Sequence, residues 1–501
     1  MYVLTTQQGY VYTLKLYSTH TPELGFQSYT LLEGDISYRE AQKSAFLANK
    51  IVNPELDYPK LDPAVLRAGI QQLDTILSFA DTQGDGLIRD TIWDSAAYRM
   101  AEHYWLLTLK RLHDNYPAMG EDQLDDQIRY IQTLNEQLYS QPDAGVSRAV
   151  INEVDAQIAA KPLNSLGQTL RSELQFGTFI EAGDQIVKLD PIYPRGLDRL
   201  PDFPTDMMHS LRDKLLKDNL DIVKLVDEYW HDIILSRPLN EQIFYPRDMA
   251  RLFKQVHALR DPANTSGVSI KLNDDGTNLS WESPDMAVVI GMHREPIQKP
   301  NVMLAKIIHE YVVHAGRSIY GSRTGLPVLG TGLFTDADPP EVSDYLTFEE
   351  GFASICEAAI LGEPDTWKPA NLEKTLAIVL AYEGRDFRQT FEALWRIRAL
   401  MTANDKTPLD DKLINKAKQL SYASLVRIFR GTPTTLPRQN SRKEKRVLTY
   451  NKDLAYLSGK LLMMDFWRRY GQDQAMIDLL FKAKFDPTNA RQLTIVKKFV
   501  T

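Results

Sequence analysis

From Tyr38 onward the apolar positions of this chain return every three or four residues, the period of helices that bury one face. The pattern predicts helices over 39–49, 64–80, 91–113, 121–139, 146–160, 165–187, 206–236 and 247–259. A second series follows at 348–361, 371–383, 386–402, 409–430, 450–470, 473–483 and 488–499. Between the two series the period changes. Residues 267–273, 279–281 and 286–292 read as short strands, the first two separated by the turn Asp274-Asp275-Gly276. The apolar run 303–308 then opens another helix. Residues 1–38, with a loosely alternating stretch at 10–17, hold a short strand or hairpin, or an ordered arm.

Prolines punctuate the series at 53–63 and again at 190–204. The second cluster marks a boundary between a helical N-terminal region, 39–190, and a second region, 200–501. The expected fold is mainly α with a small β-sheet. Residues 81–86 superficially resemble a calcium loop, but the twelfth position is Ile92 where a bidentate glutamate is needed, so they read as a turn. The segment 431–446 reads as a Pro/Thr-rich solvated loop ending in a basic run, with a grip for an acidic substrate as its sharper reading.

Composition adds exclusions. A chain of 501 residues has room for roughly two to four lobes and needs neither metal nor disulfides for stability. A net charge of -8 speaks against a nucleic-acid-binding body. Cys356 is the only cysteine, so an internal disulfide and a four-cysteine zinc site are excluded, and a reducing compartment is expected. The start Met1-Tyr-Val-Leu has no basic region followed by an apolar one, and the apolar run 376–382 falls short of the roughly 20 residues that span a bilayer. A cytoplasmic protein without membrane or nucleic-acid partners is expected.

Chemistry concentrates at His309-Glu310-Tyr-Val-Val-His314. Two imidazoles and a carboxylate in six residues are what helical zinc hydrolases use to hold a metal and place a base beside it. The usual spacing of four residues separates the rings by about 40° around a helix; the spacing of five found here separates them by about 140°. Both can share a metal only if the helix is overfilled, so a π-bulge is expected near residues 311–313. A third ligand is needed, and Thr347-Phe-Glu349-Glu350-Gly-Phe-Ala353 supplies two competing candidates that point about 100° apart. Glu357, on the same face as Glu350, is a candidate to orient a ligand histidine. His209 and His231 have no partner at ligand spacing and read as packing or surface residues.

These residues carry a resemblance. His309-Glu-Tyr-Val-Val-His314-Ala-Gly-Arg-Ser-Ile-Tyr-Gly321, then Leu329-Gly-Thr-Gly-Leu333, then Phe348-Glu-Glu-Gly-Phe-Ala353 resembles the family that includes the microtubule-associated tyrosine carboxypeptidases and the bacterial QEGLA-motif (flavohaemoglobin expression-modulating) proteins. Gly384-Arg-Asp-Phe-Arg388, Arg427-Ile-Phe-Arg-Gly431 and Lys452-Asp-Leu-Ala-Tyr-Leu457 extend it across about residues 30–485. The family's Leu stands here as Phe352. The resemblance implies a zincin-like metallopeptidase core with one zinc ion held by His309, His314 and Glu350, and Glu310 as general base.

The expected function is a zinc carboxypeptidase acting on a peptide or protein C-terminus. Such an enzyme needs a cation for the terminal carboxylate, ideally a bidentate arginine, for which Arg317, Arg385, Arg430 and Lys452 are candidates. Tyr456 is a candidate to stabilise the oxyanion. The alternatives are a zinc aminopeptidase or dipeptidyl-peptidase, and a non-catalytic metal-binding regulatory protein.

Overall fold

The computed structural model describes residues 31–32, 34–56, 61–82, 84, 86–274, 276–283, 285–326, 328–335, 343–362, 367, 369–404, 406–436 and 446–500. The alternating stretch 10–17 and the basic residues 442–445 lie outside them. The N-terminal series is α1 (Ile36–Leu47), α2 (Pro63–Ala80), α3 (Gly86–Asn115), α4 (Glu121–Tyr139), α5 (Ala144–Ala159) and α6 (Ser165–Phe176). Short polar residues set where four of these helices begin. The side chains of Asp35, Asp62, Asp143 and Asn164 each accept a first-turn N–H that would otherwise lack a partner.

The expected helix 165–187 is corrected. Gly177, at φ 81, ends α6, and the chain turns back as a hairpin of β1 (Thr178–Ala182) and β2 (Gln185–Leu189) around Gly183-Asp184. A Gly-Asp pair between apolar residues is a turn signal that outweighs a weak helical period. The expected helix 206–236 is likewise two helices, α7 (Thr205–Asp218) and α8 (Leu220–Ser236). They break at Asn219, whose side chain bonds back to Leu215 O at 2.9 Å. Next comes α9 (Pro246–Arg260). His209 and His231 are exposed on α7 and α8.

The change of period at 266–292 is a three-stranded sheet of β3 (Ser269–Asn273), β4 (Leu279–Glu282) and β5 (Ala287–Gly291), in the order β3-β5-β4. β3 runs parallel to β5, and β4 antiparallel to it. One long helical rod follows as α10 (Pro300–Ile307), a π segment (Ile308–Ala315) and α11 (Gly316–Ser322). The remainder is α12 (Val328–Thr331), β6 (Phe334–Thr335), β7 (Ser343–Asp344), α13 (Tyr345–Leu361), α14 (Pro369–Tyr382), α15 (Phe387–Thr402), α16 (Asp411–Ile428), a 3-10 turn (Asn451–Leu454), α17 (Ala455–Tyr470), α18 (Gln474–Leu479) and α19 (Ala490–Val500). The expected helix 473–483 thus stops at Leu479. No helix among the described residues is long and apolar enough to cross a membrane.

One hydrophobic core runs from Leu32 to Val496. Helices α5 and α6, which precede the proline cluster at 190–204, pack on α14 and α15, which follow it. That connector therefore crosses a shared core.

The pair that matters most for the site is α13 on α17. They touch backbone to backbone: a Cβ placed on Gly351 would lie 1.9 Å from Gly459 C, and one on Gly459 would lie 1.9 Å from Thr347 O. Only two glycines permit that approach.

Asp344 caps α13 by accepting from Thr347 N at 2.9 Å. Burial pushes its carboxyl up to about 6 from 3.8. Between those values the folded protein holds the proton and the unfolded chain does not. Stability therefore falls as pH rises across that window, by on the order of 3 kcal/mol. Asp344→Asn keeps an acceptor and removes the titration. The variant is expected to melt above the parent at neutral pH and level with it below about pH 4, in thermal unfolding at a series of pH values.

Candidate metal centre

His309 and His314 stand at the two ends of the π segment. Its wider winding takes up the fifth residue of their spacing; the Gly316 N–H reaches back five residues to Tyr311 O. The irregularity spans eight residues, more than a single bulge. It brings the two rings to 5.0 Å between centroids. Tyr311, within the segment, is pinned from outside, its hydroxyl 2.7 Å from His257 Nδ1, while His257 Nε2 meets Asn264 Oδ1 at 2.9 Å.

Glu350 of α13 completes the group: one potential ligand atom from each of His309, His314 and Glu350 lies within 4.8 Å of the others. Its carboxylate makes no hydrogen bond or ion pair with any described residue. Glu349, the competing candidate, points elsewhere, as adjacent helical positions must. Its Oε1 sits 2.5 Å from His314 Nδ1 and 2.9 Å from Lys484 Nζ, and its Oε2 lies 3.5 Å from Arg317 Nη1. On the other ring, Glu357 Oε2 lies 2.8 Å from His309 Nδ1 and its second oxygen 2.7 Å from Lys306 Nζ. Each imidazole therefore has a carboxylate at Nδ1, an arrangement that fixes the tautomer and leaves Nε2 as a lone-pair donor.

Charge supports the same arrangement. Burial opposes ionisation of Glu349, but Lys484, His314 and Arg317 outweigh it and hold the carboxyl well below its usual range. Burial likewise opposes ionisation of Glu357, and His309 with Lys306 brings it down to about 2. Burial disfavours the charged form of His309, yet Glu310 and Glu357 raise its pKa on balance. The site is thus rich in fixed negative charge around two imidazoles. Two neutral-capable rings, one unpaired carboxylate and orienting carboxylates behind the rings fit a divalent ion of the zinc type.

Glu310 lies between the rod and the sheet. Its Oε2 accepts the Trp281 N–H of edge strand β4 at 2.8 Å, and its Oε1 lies 4.0 Å from His309 Nε2. One oxygen is anchored and the other faces the ligand side of the histidine. The Trp281 N–H of this edge strand is thus taken up by Glu310. The sheet and helices are tied a second time through Lys484, which also donates to Ser283 Oγ at 3.0 Å.

The substrate-binding candidates separate. Arg317 is fully buried and donates to Ala483 O at 2.6 Å and Phe485 O at 3.0 Å, so it supports Glu349 and does not face a ligand. Arg385 donates to Asp190 O at 2.7 Å and Pro191 O at 3.0 Å, clamping the proline connector. Arg430 and Lys452 are half-buried, and each has partners of its own. Tyr456 is the candidate that feels Glu350: that charge, then burial, raises its pKa and keeps the hydroxyl protonated. Lys374 Nζ stands 3.7 Å from the centroid of its ring.

Lys484, Trp281, Lys374 and Arg294, all part of or close to this site, were not singled out by the sequence. Lys484 alone left a trace there, as a lysine between apolar residues. The chain as a whole matches no family model, no curated protein and no solved structure.

The carboxylates behind the rings give a direct test. Glu349→Gln and Glu357→Gln are each expected to weaken zinc binding by about 10- to 100-fold. Competition with a chromophoric chelator reads this directly, and affinity equal to the parent's would show that the rings need no such orientation.

Proposed function

We propose that this protein is a zinc-dependent metallopeptidase, and specifically a carboxypeptidase that removes a residue from the C-terminus of a peptide or protein. The observation that carries the reading is the convergence of His309, His314 and Glu350 within 4.8 Å, with Glu310 turned toward the ligand side of His309. His309 and His314 through Nε2 and Glu350 through its carboxylate would hold the ion. Zinc bound there supplies Lewis acidity and a water of lowered pKa.

The protein's own groups do the rest. Glu310 takes a proton from the attacking water through the oxygen that Trp281 leaves unbound, then delivers it to the amine that departs. The Tyr456 hydroxyl, kept protonated by Glu350, donates to the oxygen on which charge develops. Glu349 and Glu357 keep both rings in the tautomer that binding requires. The motif resemblance to the tyrosine carboxypeptidase and QEGLA-motif family supports the same class.

Incubation of zinc-loaded protein with a peptide library blocked at one end or the other, read by mass spectrometry, tests the reading. Loss of residues only from free carboxyl ends, abolished by a chelator and restored by zinc, is expected. Loss only from free amino ends would make it an aminopeptidase; no cleavage at all would leave a metal-binding protein without this activity.

A further inference from the structure

A carboxypeptidase must hold a carboxylate, and the Arg294 guanidinium has no anionic partner among the described residues. Arg294 lies in the turn that leaves β5, its N–H bonded to Gly291 O at 3.2 Å. Its side chain is half-buried, and its Nε is shut off from solvent with no hydrogen-bond partner. No acidic group among the described residues lies within ion-pair distance of it. Burial lowers its pKa, and the charges that act against this are Glu310 and Glu357. Arginine nevertheless stays ionised at any working pH. Arg294 follows β5, the strand that packs against the π segment and pairs with β4, whose Trp281 bonds Glu310. On that side of the site it feels the charges of Glu310 and Glu357 and is paired with neither.

A guanidinium in partial burial without an anion is costly, and its planar fork fits a carboxylate through two parallel bonds. The other cations around the site are placed differently. Arg317 is fully buried, bonded to two carbonyls and ion-paired with Glu349, and Lys374 stands over Tyr456 on the Glu350 side. The chemistry distinguishes the two sides. Glu310 must reach the amine that departs, and in a C-terminal residue that nitrogen and the α-carboxylate share one carbon. The cation that grips the carboxylate therefore belongs on the Glu310 side, where Arg294 is, and the Glu350 side belongs to the acyl half of the substrate.

We infer that Arg294 is the residue that receives the substrate's terminal α-carboxylate and so restricts this site to free carboxyl ends. The inference rests on the peptidase reading and deepens it. It assigns the specificity to a residue 15 positions before the metal motif, in a turn with no motif of its own.

Binding without turnover tests it. In a Glu310→Gln background loaded with zinc, calorimetry is run with acetylated tripeptides that end either in a free carboxylate or in an amide. The free acids are expected to bind about 10- to 100-fold tighter than the amides. Adding Arg294→Gln should erase that preference while amide affinity, zinc content and melting temperature stay as they were. Arg294→Lys should restore part of it, because a point charge replaces the fork. A preference that survives Arg294→Gln overturns the assignment and leaves the carboxypeptidase standing. Acids and amides bound equally by the Glu310→Gln protein overturn the assignment and the carboxyl-end specificity together. If neither binds, the peptidase reading fails, and the assignment with it.

Discussion

Glu310→Gln protein is expected to bind zinc as the parent does and to cleave peptides about 100- to 10,000-fold more slowly, the range that a positioned general base contributes. The substitution is nearly isosteric. Its amide oxygen can still accept the Trp281 N–H at the position now held by Oε2, so β4 and the π segment keep their contact. What it loses is the second carboxylate oxygen, the one 4.0 Å from His309 Nε2, and with it the capacity to take a proton. Zinc per chain by elemental analysis and the rate on a peptide from the library screen, measured on the same preparation, separate the two effects. Zinc retained with cleavage unchanged would remove Glu310 from the mechanism. Zinc lost together with cleavage would mean that the residue shapes the metal site instead.

Gly351→Ala should be a strongly damaging single methyl group. The new Cβ would be placed 1.9 Å from the Gly459 carbonyl carbon and 2.2 Å from its oxygen, and these are backbone atoms that cannot rotate away. Helices α13 and α17 must separate, at a cost of roughly 1–3 kcal/mol or more. The separation falls next to Glu350, so that carboxylate moves with it. A lower melting temperature and reduced zinc content are expected together, by thermal unfolding and elemental analysis. Loss of stability with full zinc content would show that α13 slides without carrying Glu350 away. No change in either would mean that the close contact of α13 with α17 is not needed.

The fold was legible where one periodicity governs a long segment. The helices over 64–80, 121–139 and 386–402 lie close to the expected positions because their apolar stripes, and the Asp62 and Asp386 caps of the first and last, are local signals. The hairpin at 178–189 was missed because helical and strand periods both fit so short an apolar stretch, and Gly177 and Gly183 had to decide. The break at Asn219 was invisible because both sides of it share one helical phase.

The site divides along the same line. The sequence by itself determined that His309 and His314 need a widened helix to face one another, since the angle between two positions on a helix depends only on their separation. It also confined the third ligand to Glu349 or Glu350. Residue geometry left that pair open, and the family resemblance favoured Glu350. Only the tertiary structure turned Glu350 toward the histidines and Glu349 toward Lys484, because rotation of α13 about its own axis is set by the Gly351–Gly459 contact with α17. It likewise brought Lys484 to Glu349 and Ser283, set Arg294 in the turn after β5, and buried Arg317 against Ala483 O and Phe485 O. Charges placed by packing between distant segments leave no period in the sequence. The two histidines and Glu310 were therefore readable from the chain, while the charged groups packed around them emerged only in three dimensions.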